Sequence, residues 1–225
     1  MSRDIVKAID FAGHIGRKLR LPKEAVNVAQ VLIHSFFDSN STKEFDAPLI
    51  SLSALYLASK VVECPCRLRD AISVAYCHLH PEQPLLEVNG DLYWELRDSI
   101  VTCEMLILRC VNYNVDIVLS HKYLYIYAMA LCTAMADGKK WARQTTQLAY
   151  MIINDSFRSA DVVAKAPNVI AASALYLSLR LLDKSVAIQG ESQWWETMGC
   201  STDELLTTVD GMMAACQRTA DDNER

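Results

Sequence analysis

The sequence predicts an all-α protein made of two tandem copies of one five-helix unit, each built around a buried third helix. Three observations carry this. Ser53-Ala54-Leu55-Tyr56-Leu57 returns 120 residues on as Ser173-Ala174-Leu175-Tyr176-Leu177. The register extends both ways: Ile50 to Ile170, Lys60 to Arg180, Val61-Val62 to Leu181-Leu182, Glu63 to Asp183, and upstream Ala29 to Ala149, Phe37 to Phe157 and Ser39 to Ser159. That period is far longer than the roughly 20–50 residues of a solenoid and suits a duplicated domain. Glycine (7) and proline (6) are scarce in 225 residues, which disfavours a sheet protein rich in tight turns. Apolar residues follow helical spacing almost throughout.

The first helix is expected from Arg3 to Arg20, with Ile5, Ile9, Phe11 and Ile15 inward. A second follows Pro22 and runs to Asp38, carrying Val28, Val31, Leu32, Phe36 and Phe37. The polar stretch 39–44 is a loop. Asp46 is placed to cap the third helix, and Pro48 falls in its first turn, where a missing N–H costs little. That helix runs to about Glu63 with few polar positions, so it should be buried all round. Pro65 breaks the chain. Helices follow at about Arg67–Leu79 and Leu92–Asn112, separated by a loop from Pro81 to Asp91. The second unit repeats the order near His121–Ala136, Arg143–Ser159 and Pro167–Leu182. A short helix around Trp194-Trp195 precedes one at Ser201–Arg218. Ser201-Thr202-Asp203-Glu204 fits a capping box. The domain bounds read as 1–115 and 116–219, with 220–225 a disordered tail.

Composition narrows the function. Hydrophobic residues make up 52 % and charged ones 22 %, a globular balance, with net charge −5. A nucleic-acid binder usually carries a basic stripe to meet phosphates. The densest basic run, Arg17-Lys18-Leu19-Arg20 with Lys23, reads instead as the last turn of a helix, where cations suit the dipole. None of the eight cysteines forms a CxxC pair, and Cys64-Pro65-Cys66 lacks a second ligand pair at zinc-finger distance. Buried free thiols in a reducing compartment fit better. The first residues open no signal peptide. The longest stretch free of charge and proline, Tyr123 to Ala136, is shorter than the ~20 residues of a membrane span. An intracellular protein of the nucleus or cytoplasm is expected, with no membrane, nucleic acid or small-molecule substrate.

No catalytic constellation is visible. There is no Gly-rich phosphate loop and no GxSxG. His14, His34, His78, His80 and His121 share no ligand spacing with a carboxylate, and the acidic run Asp221-Asp222-Asn223-Glu224 lies in the tail. No metal or cofactor is expected. Two charges are better placed. Glu104 has Ile100, Val101, Ile107 and Leu108 as its i±3 and i±4 neighbours, all apolar. A carboxylate there must be paired or used, since burying it alone costs several kcal/mol. Lys60 closes the most hydrophobic helix in the chain. The pair reads as an internal salt bridge, as a polar pair at the rim of an apolar groove for a partner's backbone, or as both.

These residues carry a resemblance. Two tandem five-helix repeats, with Lys ending the third helix and Glu in the fifth, resemble the two cyclin boxes of a cyclin. Ala58-Ser59-Lys60-Val61-Val62-Glu63 is similar to the cyclin A/G-x-K-x-x-E stretch. The run Trp94 to Val101, continuing through Cys103-Glu104 and Leu108-Arg109, is more specific to one branch of the family, as are His121-Lys122-Tyr123-Leu124 and Trp194-Trp195. The resemblance implies a regulatory subunit, not an enzyme, that forms a heterodimer with a cyclin-dependent kinase and activates it. It implies kinase contacts at Lys60, Val61, Glu63, Glu104 and Tyr113. Two departures stand out. Val62 precedes Glu63 where many cyclins have two adjacent acids. Asp4-Ile5-Val6-Lys7-Ala8 stands where cell-cycle cyclins carry a Met-Arg-Ala-Ile-Leu docking patch, so docking of substrates there is not expected. The rival in another class is a transcription factor of the IIB type, which shares the repeat but binds DNA. It would need a basic face and an N-terminal zinc ribbon.

Overall fold

The computed structural model describes residues 3–134, 138–184 and 193–223, and every described regular element is helical. The chain divides into two compact units, residues 1–117 and 118–225.

In the first unit, α1 (Arg3–Lys18), α2 (Lys23–Ser39), α4 (Leu68–Leu79) and α5 (Asp91–Cys110) all pack against α3 (Ala47–Val61). The first two helices end and begin within two residues of the expected bounds because Pro22 stands between them. They approach closely at Gly16, where a Cβ would lie 2.5 Å from Cγ2 of Val26. Asp46 caps α3 as expected, its Oδ2 accepting from the Leu49 N–H at 3.1 Å. From Ile50 to Ser59 every residue of α3 except Tyr56 is buried. Its serines sit in that core without orphan hydroxyls. Ser51 and Ser53 donate to the carbonyls of Ala47 and Leu49, and Ser59 to Tyr56, at 2.7–2.8 Å.

The second unit repeats the scheme. α6 (Ser120–Ala134), α7 (Gly138–Ser156) and α11 (Thr202–Asn223) surround α9 (Pro167–Leu181). The burial pattern of 171–180 is the same, residue for residue, as that of 51–60. Both central helices also stop the same way. Glu63 (φ 56°) and Asp183 (φ 51°) take the left-handed conformation, and the next N–H reaches back five residues, Cys64 to Ser59 and Lys184 to Leu179, each at 2.9 Å.

Three differences from expectation appear in this unit. A four-residue helix, α8 (Ala160–Val163), fills a segment read as connection, its Val162 buried beside α11. α7 starts at Gly138, five residues ahead of Arg143. α11 runs to Asn223 instead of Arg218, so 220–223, expected in a disordered tail, are helical. No glycine or proline follows Gly211 to stop it. The expected end of α6 at Ala136 and the acid Glu224 lie outside the described residues. The short α10 (Trp194–Thr197) falls where it was expected. The capping box forms in full: Glu204 N–H donates to Ser201 Oγ at 3.3 Å, and Ser201 N–H and Oγ donate to Glu204 Oε2 at 3.3 and 2.8 Å. Those bonds hold the Glu204 carboxyl below the usual range.

Candidate functional site

The end of α3 and the middle of α5 meet through one bond. Lys60 Nζ donates to Glu104 Oε1 at 2.6 Å. The ammonium also lies 4.0 Å from the centre of the Tyr56 ring, one turn back on α3, a cation–π distance. The two partners differ in access. The Glu104 side chain is 12 % exposed and that of Lys60 41 %. The neighbours of Glu104 on the same helix face, Ile100, Cys103 and Ile107, are buried as well. Burial pushes the Cys103 thiol up, so it is no ready nucleophile.

On the solvent side the surround stays apolar. Val101 and Met105 are exposed, and Val61, Val62 and Leu108 are half-buried. Tyr113, past the end of α5, is 58 % exposed and left-handed at φ 58°, its N–H donating to the Leu108 carbonyl at 2.7 Å. Glu63 is exposed at the turn that ends α3. Of the five residues singled out in the sequence, then, Lys60 and Glu104 are bonded. Val61, Glu63 and Tyr113 stand at the ends of the same two helices; Glu63 N–H donates to the Lys60 carbonyl at 3.0 Å, and none of the three is in a side-chain bond to the pair among the described residues.

The second unit keeps half of this arrangement. Arg180 lies 5.9 Å from the Tyr176 ring, repeating Lys60 on Tyr56. Among the described residues it makes no ion pair. The reason is visible on α11. Its buried residues Leu205, Thr208, Val209 and Met212 repeat the spacing of Ile100, Cys103, Glu104 and Ile107, so Val209 stands in the register of Glu104.

Elsewhere, α1 and α4 bring together groups the sequence left apart. The rings of His14 and His78 are 5.6 Å apart, Arg17 Nη2 is 2.9 Å from His14 Nδ1, and Lys18 Nζ is 3.5 Å from His78 Nδ1. Burial lowers the His78 pKa first, followed by the electrostatic effect of Lys18 and His14. His14, Arg17 and Lys18 share one helix face by their spacing, but nothing in the sequence marks His78 as their neighbour. Among the described residues no group of three His, Cys, Asp or Glu could hold a metal ion, and no helix is long and apolar enough to cross a membrane.

Comparison with known proteins gives this geometry its context. The family described as "Cyclin, N-terminal domain" matches residues 3–116. Human cyclin-T2 is 27 % identical over 191 residues, covering 84 % of this chain and 25 % of that protein. The putative cyclin-T1-1 of Arabidopsis thaliana is 24 % identical over 203 residues, covering 90 % of this chain and 78 % of that protein. Among solved structures, a chain of the yeast RNA Pol II CTD kinase CTDK-1 complex superposes with a TM-score of 0.70 at 15 % identity, over 92 % of this chain and 63 % of that one. The chain thus spans about a quarter of the length of cyclin-T2. The matched domain, the duplicated helical architecture and the Lys60–Glu104 pair agree: the chain belongs to the cyclin family.

Proposed function

We propose that the chain is a regulatory subunit that binds a cyclin-dependent protein kinase through Lys60, Val61, Glu63, Glu104 and Tyr113 and activates it without contributing a catalytic group or cofactor. The preformed Lys60–Glu104 pair at an apolar rim carries the reading. A carboxylate offers about four acceptor sites and an ammonium three donors. One bond between them leaves most of that capacity unused, and the ammonium side of the pair is open to solvent. Backbone N–H and C=O groups at the end of a kinase helix fit such a pair, and the exposed Val101, Met105 and Tyr113 would cover the apolar surface around it. The mechanism is allosteric. A kinase is active when its β3 Lys–αC Glu pair is closed and its activation loop ordered. A subunit that binds the closed state better shifts the population toward it.

Within the family, the run Trp94-Glu95-Leu96-Arg97-Asp98-Ser99-Ile100-Val101 with Cys103-Glu104 and Leu108-Arg109 resembles cyclin Q, also called cyclin M. That supports cyclin-dependent kinase ten as the partner in a heterodimer. The experiment is purification of this chain co-expressed with that kinase, then titration of each variant. We expect a one-to-one complex that phosphorylates a peptide substrate. Glu104→Ala should weaken it by about 2–5 kcal/mol, the range for truncating a buried interfacial charge, or roughly 30-fold to a few thousand-fold. A variant with unchanged helical circular dichroism and unchanged affinity would refute the role of Glu104. The likeness to a chain of the CTDK-1 complex favours a second reading, a kinase acting on the RNA polymerase II C-terminal domain. Capture of the bound kinase from cells, identified by mass, separates the two.

A further inference from the structure

The histidine cluster between α1 and α4 has no part in the function proposed above. α4 is a lightly held helix. Of its twelve residues only Ala71, Ile72 and Ala75 are buried. Cavities flank it. One of about 540 Å³ lies between α1 and the start of α3, with His14 and His78 on its wall, and one of about 340 Å³ lies among α3, α4 and α5. A helix with so little burial sits at the low end of a protein's range of local stabilities. Near its C-terminus it meets α1 through His78, whose ring lies 5.7 Å from Phe11 and 5.6 Å from His14.

The neighbours of both rings require them to be neutral. A guanidinium and an ammonium can only donate. Arg17 Nη2 at 2.9 Å from His14 Nδ1 and Lys18 Nζ at 3.5 Å from His78 Nδ1 therefore need an unprotonated Nδ1 on each ring. A proton placed there turns a donor–acceptor contact into two opposed donors that carry like charges. His14 and Arg17 are exposed and can swing apart. His78 is half-buried against Phe11 and has less room. The other charged groups on this cleft are Asp4, Lys7 and Asp10 of α1 and Asp46, whose carboxylate caps Leu49. On α4, Cys77 adjoins His78, and the terminal His80 lies 4.8 Å from Tyr76. α3 and α5 add no charged side chain to the cavity wall they share with α4. Repulsion wins at His78: burial, then Lys18 and then His14 all oppose its protonation.

We propose that His14 and His78 form an acid-sensitive latch on α4: it is closed while both rings are neutral, and a proton on His78 releases the end of α4 from α1 while α2 and α3 stay packed. The latch is independent of the kinase reading. Its sign follows from linkage. Once α4 is released, His78 is hydrated and takes a proton at about the ordinary value of 6.5, whereas the closed state takes one only at lower pH. The closed state is therefore fully favoured above about pH 6.5 and loses ground as pH falls from there through the closed-state value.

The test is hydrogen–deuterium exchange of the full chain at about pH 7.5 and 5.5, with rates corrected for the intrinsic effect of pH on amide exchange. We expect protection of the α4 amides to fall several-fold at the lower pH and that of α2 and α3 to hold. His78→Gln keeps an acceptor for Lys18 and cannot titrate, so its α4 protection should be the same at both values. Lys18→Met removes a like charge and should raise the His78 pKa read from its ring resonances by NMR. Equal α4 protection at the two pH values in the wild type overturns the latch. So does an equal fall in His78→Gln, which assigns the proton to another group, or a fall shared by α2 and α3, which is global acid unfolding. A His78 pKa that Lys18→Met leaves unmoved or lowers overturns the repulsion that opens the latch. The wild-type exchange and the Lys18→Met titration decide the outcome even if His78→Gln fails to fold.

Discussion

Lys60 and Glu104 are unequal partners, and that inequality predicts an unequal response to mutation. Removing Lys60 leaves a carboxylate whose side chain is only 12 % exposed, bonded to nothing else and flanked on its helix by the buried Ile100 and Ile107. Breaking a fully buried pair in this way costs about 3–5 kcal/mol. Some water reaches this pair from the Lys60 side, so Lys60→Ala should cost less, about 2–3 kcal/mol. Removing Glu104 leaves an ammonium that is 41 % exposed on a flexible stem, still over the Tyr56 ring at 4.0 Å. It can turn to solvent. Glu104→Ala should cost only about 1 kcal/mol, in the range of an exposed pair. The double variant should then resemble Glu104→Ala and be more stable than Lys60→Ala alone. Urea denaturation of the four proteins checks this, read as midpoint shifts at constant m. If Glu104→Ala is destabilised as much as Lys60→Ala, or the double variant is the least stable of all, the account of the site as a buried acid with an open base is wrong.

Other outcomes follow from the repeat and the caps. Arg180→Ala should leave kinase affinity unchanged and shift stability by less than about 1 kcal/mol, since among the described residues its guanidinium lies over the Tyr176 ring and makes no ion pair; loss of binding with the fold intact in a titration would contradict it. Asp183→Gly and Glu63→Gly should each stabilise the fold by about 0.5–1 kcal/mol in thermal melts, because both positions have positive φ. Only Glu63→Gly should also weaken the kinase. Glu204 has its carboxyl pKa depressed by the Ser201 bonds, so its contribution is present above the unfolded carboxyl pKa and is lost as pH falls through the folded value. Ser201→Ala should flatten that acid-side slope in melts run from pH 6 down to pH 3.

Most of the scaffold could be read from local chemistry. Asp46 and Pro48 marked the start of α3, Pro167 opened α9 and Ser201 with Glu204 opened α11, because caps and prolines act within one turn. The pairing of Lys60 with Glu104 was legible too. An acid on an apolar helix face demands a partner, and few bases close a buried helix. What stayed hidden depends on distance or on small margins. His78 meets His14 only because α4 crosses α1. The start of α7 at Gly138 runs against a Gly-Lys-Lys segment with weak helical signal. α8 is a single turn held by the burial of Val162 against α11, a tertiary effect that overrides propensity.

The serines of α3 have a consequence for how fast a partner can dock. A helix enclosed on every side, with its hydroxyls bonded to its own carbonyls, has few alternative placements to lose. Lys60 stands at the end of that fixed rod, and the acid it meets is bonded before any partner arrives. Little ordering therefore remains to be done on this side of an encounter. The association rate should be governed by how often the partner visits its receptive shape, and engineering a faster complex would mean changing the partner rather than this chain.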